Sequence, residues 1–474
     1  MDFLTNLPLH YSFSPYVSHE SLETSTGIVL KLSLRDYCIS IRNAEFIQLF
    51  KKLFYGSFTL DDIVNCLNTQ DILKTAQFYH LFNNLIENGL FKLGIHESSI
   101  LLELIPIPPY FRMKPFALKH DVSFKLSQHC YLRWENGHGL LCSPLVYAQV
   151  LLYDDRICHL LSHLSLPRSN EELQANMSNL LDNGILKIVL QLLVGANMLT
   201  IVDENGKSEE DTHRELKLWE FHDLLFHART RWGRHIGNYG ATYRFKDTIE
   251  PYGAIKEGFE SDERIRLFCP NVEGLLEDDV PFTRVLEERQ SVREFRQDPI
   301  TLEQLGELLY RSARIRKREY YLNHEITRRP YPSGGSLYEL EIYLAINSCV
   351  NLERGMYWYD PLHHMLHKKS IERGFFDKLL SFASSAAGET DSLQILVIFA
   401  ARFQRVSWKY EAIAYSLILK NVGVLMQTIS LVATAMGLGS CILGAGDSDC
   451  FSKAIGTDEY LAESSVGEMI IGSI

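Results

Sequence analysis

The chain has 474 residues, 46% of them hydrophobic and 22% charged, with a formal net charge of −12. That length supports roughly two to four domains with a sizeable core, and that charge argues against a broad surface for nucleic acid or anionic membrane. Nine cysteines, odd in number, scattered and without a CxxC pair, suit buried thiols in a reducing cytoplasm better than a disulfide framework or a zinc site.

The amino terminus, MDFLTNLPLHYSF, has no basic region before an apolar core, so no secretory signal is expected. No apolar run is read as long enough to span a bilayer. The next two hundred residues read as one unit used twice. The first copy runs from GIVLKLSLRDYCISIR (27–42), two strand-like stretches, through amphipathic helices at 44–56 and 58–67. A third helix over 77–94 closes at Asn88-Gly89, with a strand after it. The second copy runs from VSFKLSQHCYLRW (122–134) through SPLVYAQVLLYD (143–154), RSNEELQANM (168–177) and LKIVLQLLVGANMLTIV (186–202). The shared order of hairpin, helix, short acidic-capped helix, helix and strand predicts two winged-helix-like domains, 1–110 and 111–205. DNA is a poor partner, since residues 1–110 hold seven Lys or Arg against eleven Asp or Glu. An added peptide strand suits such a unit better, although simple packing against the rest of the chain is the competing reading.

DENGKSEED (203–211) reads as a linker and ELKLWEFHDLLFHARTRWG (215–233) as a helix. His222 and His227, five apart, do not stack on one helical face and read as structural or capping residues. FTRVLEERQSVREF (282–295) predicts a helix ending in an extended segment that puts Arg289, Ser291 and Arg293 on one side. Two guanidiniums and a hydroxyl there suit a phosphate dianion; a solvated charged turn is the alternative. Pro332, Ser333, Gly334, Gly335 and Ser336 form a loop of small residues before a strand at 339–346. Such a loop lets backbone approach a flat ligand, but matches neither the phosphate-binding GxxxxGK[ST] loop nor a dinucleotide GxGxxG turn. YWYDPLHHMLHKKS (357–370) reads as a hairpin, and its histidines are not assigned to a metal. LQILVIFAA (393–401) reads as a buried strand. Lys409 and Tyr410 then lead into a helix over 412–437, apolar nearly all round and hence expected in a core or a subunit interface. A lysine beside such a helix is costly unless paired or neutral. Gly437 and Gly439 are expected to end the helix, and Gly444 and Ala445 to let backbone pass a planar ring.

In this order, RxSxR, then PSGG before a strand, then Lys-Tyr before a buried helix ending in GLGS, the chain resembles the nitroreductase-like flavoproteins. Within them it is most similar to the peptide azoline dehydrogenases of the cyanobactin-oxidase type. The resemblance covers residues 215–474 and extends to 1–200 only in architecture. It implies an α+β chain with a nitroreductase-like FMN domain over 215–474. It implies oxidation of thiazoline or oxazoline rings in ribosomal peptides to thiazoles or oxazoles, with molecular oxygen as final acceptor, in a homodimer. By the same resemblance Arg289, Ser291 and Arg293 hold the FMN phosphate and ribityl chain. Pro332 to Ser336 approach the flavin ring from the second subunit, and Gly444 and Ala445 line it. Lys409 and Tyr410 form the catalytic pair. The chain departs from many nitroreductases in ending SVGEMIIGSI, without further basic residues for the phosphate. An NAD(P)H-dependent nitroreductase or quinone reductase, and a catalytically silent peptide-binding module, are the competing readings.

Overall fold

The computed structural model describes residues 8–474 apart from 16, 22–27, 33–37, 68–70, 108–109, 115, 117, 119–121, 236, 257–262, 322–323 and 459–460. The chain divides at Gly237/Asn238 into two units, each with its own core. The boundary lies beyond the expected linker, so the helix Phe221–Arg229 falls within the first unit.

In the first unit the strands at Val17–Ser21, Ile28–Leu32 and Cys38–Ile41 form a three-stranded sheet. The turn of the hairpin expected at 27–42 lies outside the described residues. Asn43 and Asp71 cap the helices Ala44–Tyr55 and Ile72–Glu87, each accepting from two backbone N–H groups that a helix start leaves unpaired. Asp71 therefore starts the third helix five residues before the expected position. The short helix Asn170–Met177 follows its sequence signal, with a capping box between Ser169 and Glu172.

Two expectations for the second copy are corrected. Residues 122–134 do not fold back as a hairpin. Ser123–Leu126 pairs with Leu199–Val202 and Arg168–Ser169, whereas Tyr131–Glu135 pairs with His138–Cys142 in another sheet. The run at 143–154 is no helix but contains the strand Ala148–Leu152, with the helix beginning only at Asp155. Its Ala148, Val150 and Leu152 alternate inward, the period of a strand. That strand continues a seven-stranded sheet holding strands from both expected amino-terminal domains, 1–110 and 111–205, over one continuous hydrophobic core. The stretch at 203–211 is not a bare linker either. A turn leads to a helical turn at Glu209–Thr212, tied down by Lys125–Asp211 (2.6 Å) and Ser127–Glu210 (2.6 Å).

The second unit is built on a seven-stranded antiparallel sheet. Its strands run, side by side, Arg264–Arg266, Met365–Lys369, Gly355–Asp360, Leu340–Ile346, Ile395–Ala401, Ser464–Ser473 and Leu438–Ile442. The middle strands are buried along their whole length because helices cover both faces. Leu340, Ile342 and Leu344 face one core with the helices Leu302–Ala313 and Ala414–Ala435, while Tyr343 and Ala345 face the other. The helix Ala414–Ala435 is long and apolar enough to cross a bilayer by length and composition, contrary to the sequence reading. Here Ile418, Leu425, Ile429 and Ala433 pack it onto the sheet instead. Its other face leaves Tyr415, Leu419 and Val424 exposed.

Candidate active site

The helix Ala414–Ala435 organises two groups of residues in the second unit. The first lies at its amino-terminal end. Lys409 and Tyr410 do not begin the helix. Tyr410–Glu411 is a two-residue strand paired with Gly240–Ala241, and Ala412, at φ 63°, turns the chain before the helix starts. Lys409 is 92% buried by area, 8% being exposed. Glu411 is not its partner: that carboxylate accepts from Thr242 Oγ1 (3.2 Å) and faces Arg244 (3.6 Å). Among the described residues no carboxylate or hydrogen-bond partner reaches Lys409 Nζ. The amine instead lies over the rings of Tyr410 and Tyr243, 5.4 and 5.6 Å from their centroids.

The loop predicted to approach a flat ligand meets this pair. Gly334–Ser336 forms a single 3-10 turn before the strand Leu340–Ile346. Gly335 has φ +65°, and a Cβ there would lie 2.5 Å from Tyr410 Oη and 2.8 Å from Lys409 Nζ. The glycine therefore makes room for the amine and the phenol at a bare stretch of backbone. Ser336 and Tyr338 are also left-handed, at φ 57° and 49°, strain that survives only where surrounding structure imposes it.

That imposing structure was not visible in the sequence. Asn421, on the central helix and 6% exposed, accepts from Gly334 N–H (3.0 Å). It donates to Ser333 Oγ (3.2 Å) and to Glu339 Oε1 (2.8 Å). Ser333 Oγ also accepts from Tyr338 N–H (3.0 Å) and lies 3.3 Å from Glu339 Oε2. Burial raises the pKa of Glu339, offset in part by the hydrogen bonds from Asn421 and Ser333. The two nearby arginines serve the backbone and a separate carboxylate. Arg405 donates to the carbonyls of Leu337, Tyr252 and Glu325. Arg402 donates to Gly253 and Ala254 and sits 2.8 Å from Glu341, close but not aligned as a hydrogen bond.

The second group lies further along the helix. Ser430 Oγ is 2.9 Å from Ser440 Oγ on the edge strand Leu438–Ile442. Gly437, at φ +68°, ends the helix, while Gly439 is inside that strand rather than at the helix end. The RxSxR segment runs alongside: Ser291 forms a parallel bridge with Ser440, and Val292 N–H donates to Ser440 O (2.9 Å). A Cβ on Gly439 would come within 2.9 Å of Val292 Cγ1, so the glycine lets the segment lie close. Arg289 is half-buried, Ser291 and Arg293 are exposed, and neither guanidinium has an ion-pair partner among the described residues. Gly444 and Ala445 follow in an exposed loop. Asn421 and Ser430 are nine positions apart on one helix, about 13 Å along its axis.

The residues fit a flavin mononucleotide on two observations: a left-handed glycine that leaves amine and phenol against open backbone, and two unpaired guanidiniums beside a serine. Residues 124–236 match the family of the cyanobactin oxidase ThcOx, and residues 286–473 match the nitroreductase family, whose members typically bind flavin. A Methanocaldococcus jannaschii protein named as a nitroreductase is 30% identical over 168 residues, 35% of this chain and 80% of that protein. The microcin B17-processing protein McbC of Escherichia coli is 26% identical over 139 residues, 28% of this chain and 50% of that protein. Among solved structures, a Ralstonia eutropha protein named as a nitroreductase has 21% identity and a TM-score of 0.36, covering 50% of this chain and 98% of its own. The Escherichia coli microcin synthetase complex with truncated pro-MccB17 has 19% identity and a TM-score of 0.35, covering 53% and 91%. The chain belongs to the nitroreductase family, as an oxidoreductase of the cyanobactin-oxidase type.

Proposed function

We propose that the protein oxidises thiazoline or oxazoline rings in a ribosomally made peptide to thiazoles or oxazoles, using FMN. The observation that carries this reading is the buried, carboxylate-free amine of Lys409 beside the Tyr410 phenol at the face of Gly335. Aromatising the ring removes a proton from the α-carbon and a hydride from the adjacent ring carbon, and a new C=C bond forms between them. FMN, when held there, would supply the hydride acceptor, with molecular oxygen as the final electron acceptor. The proton is the task of the chain's own residues. The α-hydrogen is acidified by the neighbouring carbonyl and C=N bond, so an amine base suffices. Such a base contributes on the order of a hundred- to ten-thousand-fold in rate. Lys409 takes the proton, and Tyr410 orients the ring and hydrogen-bonds its heteroatom. Tyr243 and the Gly335 backbone hold the amine away from bulk water.

Arg289 and Arg293 hold the phosphate with forked, charge-assisted bonds, and Ser291 adds a hydroxyl. Pro332 to Ser336, with Gly444 and Ala445, give the ring a backbone surface free of side-chain bulk. The exposed apolar residues Tyr415, Leu419 and Val424 on the central helix support packing against its mate in a homodimer. The first unit, which includes the cyanobactin-oxidase region, serves peptide recognition.

The test is the visible absorption spectrum of the purified protein, followed by mass analysis of a thiazoline peptide after incubation in air. A yellow protein and loss of two hydrogens from the peptide are expected. A colourless protein, or turnover of NADPH and a nitroarene with no change in the peptide, contradicts the reading.

A further inference from the structure

The first unit contains a small open cleft of about 80 Å³ whose charged lining is cationic: Arg133, Arg229 and Arg234, with His235 beside them. Among the described residues that line it there is no carboxylate. This is unusual in a chain of net charge −12. The cleft is formed between the sheet strands Tyr131–Glu135, His138–Cys142 and Ala148–Leu152 and the helix Phe221–Arg229. Its floor is apolar, from Ile107, Val146, Ala148 and Leu225.

Arg133 and Arg229 are exposed and Arg234 is half-buried, and each has a polar partner. Arg234 donates to Pro144 O (3.0 Å) and lies 4.6 Å over the Tyr147 ring. Arg229 is hydrogen-bonded to His235 Nδ1. Arg133, at the rim with its side chain 57% exposed, pairs with Glu135 at 2.6 Å. Burial, then the neighbouring Cys142, push the Tyr131 hydroxyl up to about 12 while Arg133 and Arg229 pull it the other way. That hydroxyl is hydrogen-bonded to Cys142. Three guanidiniums over an apolar floor make a receptor for an oxyanion attached to an apolar stem.

We propose that this cleft binds a carboxylate of the peptide substrate, gripped by Arg229 and Arg234 and steered by Arg133. The inference rests on the peptide reading above, and two features connect the cleft to peptide rather than to flavin. All its charged residues fall within 124–236, the region matching the cyanobactin oxidase family, and none falls within the nitroreductase match at 286–473. The site selects acidic side chains flanked by apolar residues.

The experiment titrates the full-length FMN-loaded protein into a fluorescein-labelled peptide of alternating glutamate and leucine, and into the same peptide with glutamine for glutamate. Tighter binding of the glutamate peptide is expected, with a loss of roughly tenfold or more in Arg229→Gln and Arg234→Gln. Arg133→Gln, an exposed substitution that leaves the fold intact, is expected to weaken binding by a smaller factor. Oxidation of a short thiazoline peptide without acidic residues stays at the wild-type rate in all three variants. Equal binding of the glutamate and glutamine peptides overturns the proposal. So does unchanged binding in Arg133→Gln together with whichever of the other two variants keeps the wild-type melting temperature. Displacement of the peptide by inorganic phosphate, where acetate at the same concentration fails, makes the cleft a phosphate site and also overturns it. Glutamate-selective binding with no ring oxidation by any variant or the wild type upholds the cleft and refutes the azoline reading alone.

Discussion

The two ends of the helix Ala414–Ala435 solve opposite problems. At the amino-terminal end an amine is kept out of water, without a carboxylate, against backbone locked by Asn421. Further along, in the segment bridged to Ser440, the guanidiniums of Arg289 and Arg293 have no ion-pair partner among the described residues. The first environment is costly for a charged amine, which has two aromatic rings but no carboxylate among the described residues to offset its burial. The second costs little and waits for an anion. On the proposed function, the contrast divides binding from chemistry: phosphate capture at the open end, proton removal at the closed one.

The sharpest break is at the closed end. Lys409→Ala and Tyr410→Phe are each expected to lower turnover of a thiazoline peptide by about a hundredfold or more while the flavin spectrum stays unchanged; steady-state kinetics checks this. Gly335→Ala adds a methyl where Tyr410 and Lys409 already stand. A displacement near 1 Å costs roughly a hundredfold, so turnover falls with FMN still bound, readable in the same assay. At the open end the expected effect is on binding rather than rate. Arg289→Gln or Arg293→Gln weakens FMN by about ten- to a hundredfold, as loss of a charged hydrogen bond worth about 1.5–3 kcal/mol implies; fluorescence titration of the apoprotein measures it.

The smaller effects probe the lock. Asn421→Ala strands the Gly334 N–H and the Glu339 carboxyl, and about 1–3 kcal/mol of stability is expected to go, measured by urea unfolding. Glu339 supplies the finest test. Its pKa is raised by burial above a glutamate's ordinary 4.5, so its contribution is fully present below 4.5 and is lost as pH rises through the raised value. Glu339→Gln keeps an acceptor for Asn421 and removes the titration. The variant should gain melting temperature over wild type at neutral pH and show little difference at pH values below 4.5.

The legible parts of the molecule were those where chemistry is written in neighbouring residues. RxSxR, PSGG and Lys-Tyr each occupy a few positions, and the fold joins them in two pairs, PSGG with Lys-Tyr and RxSxR with GLGS. The capping box of Ser169 and Glu172 was readable for the same reason. What stayed hidden is long-range. Asn421 sits among apolar residues of a helix, and only the fold brings it to Ser333 and Glu339, more than eighty residues earlier. Tyr243 reaches Lys409 across a gap about twice as long. The run at 143–154 deceived because a short apolar stretch fits either period, and only pairing of Ala148–Leu152 with Ile100–Pro106 decides for a strand. The two amino-terminal copies looked separate because sequence order carries no trace of a sheet that spans both.

The most direct measurement is the mass of a thiazoline peptide incubated in air with the FMN-loaded Lys409→Ala/Tyr410→Phe double variant. An unchanged mass, under conditions where the wild type removes two hydrogens, is the predicted result. Loss of two hydrogens at the wild-type rate would contradict the assignment of proton removal to this pair.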